Sequence, residues 1–141
     1  MKTGYIIAIL FVAALLQSCE KEQLASTIPI NETVDTIATK NLTGTFISGP
    51  YGIVSGMAEI FNNSEMYEVK LAGFSTSNGP ALHVYLSKES KPVNFIDLGI
   101  LKSTNGNQVY SITGMPDFTD YKYISIHCVQ YDHLFGYALL K

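Results

Sequence analysis

The sequence predicts an all-β fold, an antiparallel β-sandwich of about eight short strands in a single domain. From Leu42 onward, short runs rich in Tyr, Phe, Ile and Val alternate with turn residues. Turn signals stand at Asn62-Asn63, Asn78-Gly79-Pro80, Asn105-Gly106 and Met115-Pro116-Asp117. No stretch beyond Leu42 has a sustained helical period. Regularly spaced short strands without intervening helices are typical of a sandwich or barrel.

Eight runs have the length and composition of strands, because β-branched and aromatic residues fit the pleated surface of a sheet. In chain order they are Gly44 to Ser48, Val54 to Phe61, Tyr67 to Leu71, Leu82 to Ser87, Phe95 to Leu101, Gln108 to Ile112, Tyr123 to Val129 and Phe135 to Leu140.

The alternation of residues along these runs predicts which side chains face the core, since successive side chains of a strand point to opposite faces. In the run from Tyr67 to Leu71 the odd positions are apolar and the even ones charged, so the apolar side chains face inward. The same rule places His83 on the outer face of its strand. In the run from Tyr123 to Val129 it places Cys128 inward and His127 outward.

The N-terminus predicts an exported bacterial lipoprotein. Residues 1–18 combine a charged tip, an apolar run and a small residue before Cys19, which is the pattern of a cleaved signal peptide. The apolar run is shorter than the roughly 20 residues of a membrane-spanning helix. Leu16-Gln17-Ser18-Cys19 resembles the bacterial lipobox, which implies acylation of Cys19 and cleavage before it. An ordinary signal peptide or a short anchor helix are the alternatives.

After this signal we expect a lipidated N-terminus and flexible tether at 19–41, then one domain at 42–141. Cleavage removes Lys2, so the mature chain carries eight lysines against twelve carboxylates, a formal charge of −4. Scattered lysines on an acidic chain argue against a nucleic-acid partner. The expected partners are membrane lipid, through Cys19, and a redox protein. The expected location is the cell envelope, with the anchor in the outer membrane on its periplasmic or surface face.

An ordered series of short motifs resembles the DM-thirteen domain family. The motifs are Gly44-Thr45-Phe46-Ile47-Ser48-Gly49, Val54-Ser55-Gly56-Met57-Ala58, Phe74-Ser75-Thr76-Ser77-Asn78-Gly79-Pro80, Leu82-His83-Val84-Tyr85-Leu86-Ser87, Asp97-Leu98-Gly99-Ile100-Leu101-Lys102, His127-Cys128 and Phe135-Gly136-Tyr137-Ala138. They cover roughly Leu42 to Lys141. The resemblance implies a β-sandwich, a role in electron transfer, and Cys128 as the cysteine of the family. Ala81 departs from the family pattern, which often has Asp at that place.

Cys128 is the candidate redox residue. If Cys19 is acylated, Cys128 is an unpaired thiol in an oxidising compartment, where such a thiol must be buried or used. His127, His133 and His83 are candidate metal ligands with it, because copper favours thiolate with imidazole and haem iron takes His or Cys. Haem or copper is therefore the cofactor to consider. The alternative is that Cys128 is a small buried apolar residue and the histidines lie at the surface.

The sequence argues against a self-sufficient enzyme. It contains no GxSxG, HExxH or CxxC motif and no glycine-rich phosphate loop. Two function classes remain: an accessory electron-transfer domain that depends on Cys128, and a non-catalytic binding or adhesion module for carbohydrate or protein. Nine tyrosines, among them Tyr85, Tyr123 and Tyr137, favour the second class, since tyrosine offers a flat apolar ring with a polar tip.

Overall fold

The computed structural model describes residues 23–35, 37–63 and 66–141. The signal peptide at 1–18 and the acylated Cys19 lie outside these residues and stay predictions. The described chain is built from nine strands, with no helix among them. They are β1 (Ile30–Asn31), β2 (Thr39–Ser48), β3 (Val54–Asn62), β4 (Tyr67–Thr76), β5 (Leu82–Ser87), β6 (Phe95–Ile100), β7 (Asn105–Ile112), β8 (Tyr123–Cys128) and β9 (His133–Leu139).

All nine strands belong to one mixed, curled sheet with the order β1-β7-β4-β3-β2-β9-β8-β5-β6. The short β1 is parallel to β7, and the other neighbours are antiparallel. β2 joins the two halves, because residues 39–45 pair with β3 while residues 46–48 pair with β9. The all-β single domain is confirmed, and the two layers of the expected sandwich are halves of one continuous sheet.

Both halves contribute their inner faces to one core. Ile60 and Leu71 come from one half, Leu86 and Ile126 from the other, and all four are fully buried in the same cluster. Burying such a side chain stabilises the fold by roughly 1.5–3 kcal/mol. The predicted alternation is confirmed in β4, where the inward positions after Tyr67 are fully buried.

β5 and β8 are buried on both faces, which the alternation rule did not anticipate. The connection at 88–94 covers part of their outer face, at Ser87 and Ser125. The Ser87 hydroxyl donates to the carbonyl of Glu89 at 2.8 Å, and the Ser125 hydroxyl donates to the carbonyl of Ser90 at 3.4 Å. Small hydroxyl side chains fit beneath this polar cover. The outer face of β5 and β8 is therefore mostly enclosed, with the His83 side chain still 24% exposed.

The segment expected to be a flexible tether lies, from Leu24 to Glu32, against the domain. Ser26 and β1 pair with Ser103 and β7. The amide of Thr104 donates to the carbonyl of Ser26 at 2.7 Å. At its far end the Glu32 carboxylate accepts from Lys102 at 2.7 Å and from the Val109 amide at 2.8 Å. Sequence periodicity misses this docking because backbone and polar groups make most of it.

Candidate functional site

Cys128 occupies the last position of β8, on its core face, as the alternation predicts. It is 1% exposed and lies opposite Leu82 of β5. Its Sγ donates a hydrogen bond to the carbonyl of Pro80 at 3.0 Å. Donating this hydrogen bond requires the S–H proton of the thiol. Cys128 is thus a free, enclosed thiol attached to the 77–81 turn.

His127 lies on the opposite face of β8, with the Tyr85 ring 5.6 Å away. Its side chain is 6% exposed, and its Nε2 is 3.0 Å from the Asp132 carboxylate. With the Nε2 proton donated to Asp132, the neutral ring leaves Nδ1 as an acceptor. Nδ1 is buried and has no hydrogen-bond partner. An unpartnered buried nitrogen carries a desolvation cost and calls for an explanation.

The pKa of His127 is lowered from its ordinary value. Burial is the main cause, since it disfavours the charged ring, and it outweighs the neighbouring Asp132 carboxylate, which acts in the opposite direction. Asp132 itself has a lowered pKa, chiefly through its hydrogen bond with Lys91. It adopts a φ of 52°, a left-handed conformation that only a few per cent of non-glycine residues take. The tight turn between β8 and β9 thus holds this carboxylate against the ring.

His83 is the register partner of His127 on β5, but it reaches away from it. Its Nδ1 lies 3.0 and 2.9 Å from the two carboxylate oxygens of Asp97 on β6. Tyr85 lies near both histidines, with ring centroids 6.0 Å from His83 and 5.6 Å from His127. Its ring also stacks on Phe95 at 4.1 Å. Burial, together with the nearby carboxylates of Asp97 and Asp132, raises the pKa of Tyr85 to about 12, so the phenol keeps its proton.

His133 belongs to a separate aromatic group at the surface. It is the register partner of Cys128 on β9. Its ring stacks on Tyr51 with a centroid separation of 3.7 Å and an interplanar angle of 2°, and the Tyr131 ring is 5.8 Å away. The nearest ring contacts of His133 are therefore with exposed tyrosines.

The four predicted site residues do not converge on one point. Cys128 and His127 are on opposite faces, while His83 and His133 each bind other partners. In the ranges 23–35, 37–63 and 66–141, no three His, Cys, Asp or Glu side chains are grouped so as to hold a metal ion. A copper centre of thiolate and imidazole does not fit this arrangement. Haem or copper stays an untested prediction, and no chemical step below depends on it.

Sequence reasoning missed the residues that organise the outer face of β5 and β8. No sequence pattern singled out Asp132 or Asp97, and Tyr85 was one tyrosine among several. The signal for Asp132 is its position five residues after His127 across a tight turn. Asp97 becomes a partner of His83 only because β6 lies beside β5, which no local pattern specifies.

Comparison with known proteins decides the family. A family model described as "Electron transfer DM13" matches residues 45–140. The chain belongs to this family. The match spans all strands from β3 to β9 and the last four residues of β2, and confirms the resemblance drawn from the motifs. No curated protein and no solved structure gives a match to the chain.

The DM13 match includes Cys128, His127, His83 and Tyr85, so the buried thiol and the enclosed outer face both belong to the family domain. The docked N-terminal segment precedes it. In the part of the chain that the structure describes, no helix is long and apolar enough to cross a membrane.

Proposed function

We propose that this chain is a lipid-anchored protein of the bacterial cell envelope whose DM13 domain exchanges single electrons, with Cys128 as its redox residue. The observation that carries the proposal is the match of the electron transfer family over residues 45–140, with Cys128 inside it. The anchor is proposed at Cys19, in the outer membrane, from the signal-peptide pattern of residues 1–18. Membrane lipid and a redox protein are the proposed partners.

The surroundings of Cys128 suit a thiol that is kept from side reactions. It is fully enclosed, and it is the free cysteine of the described residues. Dithiol–disulfide exchange needs a second thiol, which would have to come from another molecule and reach a buried sulfur. Exchange of a single electron needs one sulfur and no direct contact between that sulfur and the partner. The partner, a one-electron carrier, takes one electron from the Cys128 thiol, the S–H proton passes to solvent, and a thiyl radical remains. The reverse step returns one electron and one proton to the sulfur. The burial of Cys128 therefore favours single-electron exchange over thiol–disulfide exchange.

The test is a redox titration of the full lipidated chain, purified in detergent without oxygen. We expect the wild type to take up and release a single electron equivalent reversibly, and Cys128→Ala to lose this ability. Ile126→Val is the matched control, because it trims the same face of the same strand and leaves the thiol in place. Metal and haem content and the absorption spectrum are recorded on the same samples.

Three results separate the possibilities. Loss in Cys128→Ala with retention in Ile126→Val supports the proposal. Equal electron exchange in the wild type and both variants would show that Cys128 is not the redox group. A wild type with no reversible electron exchange would overturn the electron-transfer function.

The second candidate is a binding module, favoured by the exposed aromatic group of Tyr51, His133 and Tyr131. Flat rings at the surface can stack on a sugar or a protein side chain. A binding module needs no thiol, so Cys128→Ala would cost it only about 1 kcal/mol of packing. Retained ligand binding in that variant, together with an inert wild type in the redox titration, would favour this class.

A further inference from the structure

Three turns and the N-terminal segment meet at one end of the domain, which we name the proximal end. The turns are 49–53 between β2 and β3, 77–81 between β4 and β5, and 129–132 between β8 and β9. Backbone hydrogen bonds join them. The amide of Ser77 donates to the carbonyl of Ile53 at 2.9 Å, and the amide of Val129 donates to the carbonyl of Ala81 at 3.0 Å.

The proximal end carries several exposed apolar and aromatic side chains. Five large ones from three separate segments are between 49% and 76% exposed: Leu24, Tyr51, Ile53, Val129 and Tyr131. Single exposed apolar residues are normal, but a set gathered on one end of a domain marks an interaction surface. Among the described residues of these turns and of the stretch 23–26, where the N-terminal segment enters, the charged one is Asp132, which pairs with Lys91 at 3.3 Å.

The N-terminal segment enters the domain at this same end. The amide of Ala81 donates to the carbonyl of Gln23 at 3.0 Å, and Leu24 pairs with Pro80. The Asn78 side-chain amide donates to the carbonyl of Ala25 at 3.2 Å. Ala81 adopts a φ of 47°, so a strained residue forms the junction between the N-terminal segment and the end of β8.

The covalent chain limits how far this end can stand from an acyl group on Cys19. Only three residues, at positions 20–22, separate Cys19 from Gln23. Four steps of fully extended chain span at most about 14 Å. The headgroup region on each side of a bilayer is roughly 5–8 Å thick. A domain docked from Gln23 onward is therefore held close to the lipid surface by its proximal end.

We propose that the proximal end rests in the headgroup region of the membrane, with its exposed apolar and tyrosine side chains inserted at the lipid interface. This inference rests on the proposed acylation of Cys19. Tyrosine suits such a position, because its ring is apolar and its hydroxyl stays in contact with water and headgroups. The attraction comes from apolar surface, since the mature chain is acidic and has no reason to favour anionic lipid.

This orientation gives Cys128 a defined place relative to the bilayer. Its sulfur bonds to Pro80, and Pro80 pairs with Leu24 at the proximal end. The redox residue then lies on the membrane side of the domain. Its electron partner is accordingly a carrier held in or on the membrane, rather than one that approaches the opposite end.

The absence of tryptophan from the sequence makes a direct test possible. Ile53→Trp and Val129→Trp place reporters at two turns of the proximal end. Met115→Trp is the matched control, because Met115 is 75% exposed and follows the end of β7 that pairs with Tyr67, at the opposite end of the sheet. Each full, lipidated chain is reconstituted in vesicles of phosphatidylethanolamine and phosphatidylglycerol, with and without brominated acyl chains. Tryptophan quenching and vesicle flotation are measured together.

We expect all three variants to float with the vesicles, and bromine to quench both proximal reporters at least about twofold more than Met115→Trp, given an insertion depth of roughly 5–10 Å. Flotation with equal quenching at both ends would overturn the orientation and leave the anchor intact. Failure to float would contradict the anchor and the orientation with it. A blue shift that depends on protein concentration without quenching would indicate a second copy of the chain on this surface, and would also overturn the proposal.

Discussion

At the scale of single residues, His127 is the most constrained titratable group of the candidate site. The Asp132 carboxylate lies within hydrogen-bond distance of its Nε2, and its buried Nδ1 has no hydrogen-bond partner. The ring therefore resists protonation in the folded domain, although a carboxylate lies beside it. In the unfolded chain the same ring is solvated and titrates near its ordinary pKa of 6.5.

This difference gives a pH dependence with a definite sign. Below about pH 6.5 the unfolded chain binds the His127 proton more readily than the folded one, so the free energy of unfolding falls as the pH falls. Above about pH 6.5 the stabilisation that comes from keeping His127 neutral is fully present. The lowered pKa of Asp132 also stabilises the folded chain, but that contribution is lost only as the pH falls below the ordinary aspartate value of 3.8.

We predict that His127→Gln reduces the loss of stability between about pH 7 and about pH 5, because its amide can still donate to Asp132 but does not titrate. Urea unfolding at a series of pH values measures this. His133→Gln makes the same substitution at a more exposed histidine and serves as control. Parallel stability curves for wild type and His127→Gln would contradict the assigned cause.

Residue by residue, alternation was enough to place Cys128 inward and His127 outward. It could not supply their partners. Asp132 meets His127 through the shape of a tight turn, and Pro80 meets Cys128 through the order of β5 and β8 in the sheet. Both contacts depend on the tertiary arrangement, and the alternation of residues along one strand carries no information about that arrangement.

At the scale of elements, the N-terminal segment shows that a short stretch without periodicity can still pair with the sheet. It was expected to be a tether because the sequence from Glu20 to about Thr39 shows no sustained period of a strand or a helix. Its docking uses a two-residue parallel strand and polar bonds that lie far apart in sequence. Gly106 makes room for it, since a Cβ there would collide with the backbone of Ile30.

We predict that Gly106→Ala releases residues 24–32 from the domain, with amide exchange in this segment about tenfold faster. Hydrogen exchange followed by mass spectrometry measures the effect. Gly99→Ala is the matched control, because Gly99 has a similar positive φ of 112°, against 101° at Gly106, but open space around its Cβ position. Equal protection of the segment in both variants would mean that β1 does not hold it in place.

At the scale of the whole molecule, β2 makes the two halves of the sheet interdependent. One half pairs with its first part and the other half with its last part, and both share a core. The eight expected strands correspond to β2 through β9, so local patterns were enough to find them. Their order was not predictable, because each possible pairing satisfies the same alternation of apolar residues.

We predict a single unfolding transition for both halves. Met57→Trp in β3 and Phe95→Trp in β6 place a reporter in each half at partly exposed positions. Their urea midpoints should coincide with each other and with the midpoint from far-ultraviolet circular dichroism. Two separated midpoints would show that β2 does not couple the halves.

The pairing of β2 with β9 also governs when folding can finish. β2 lies early in the domain, and its partner β9 is the last strand to be made, so the contact closes a loop of about ninety residues. Until β9 arrives, the residues of β2 that face it have no partner and the shared core is open. For a chain exported as proposed, folding is then completed only after translocation has delivered the final strand. A chain exported in this way would cross the inner membrane unfolded, without opposition from a prematurely formed domain.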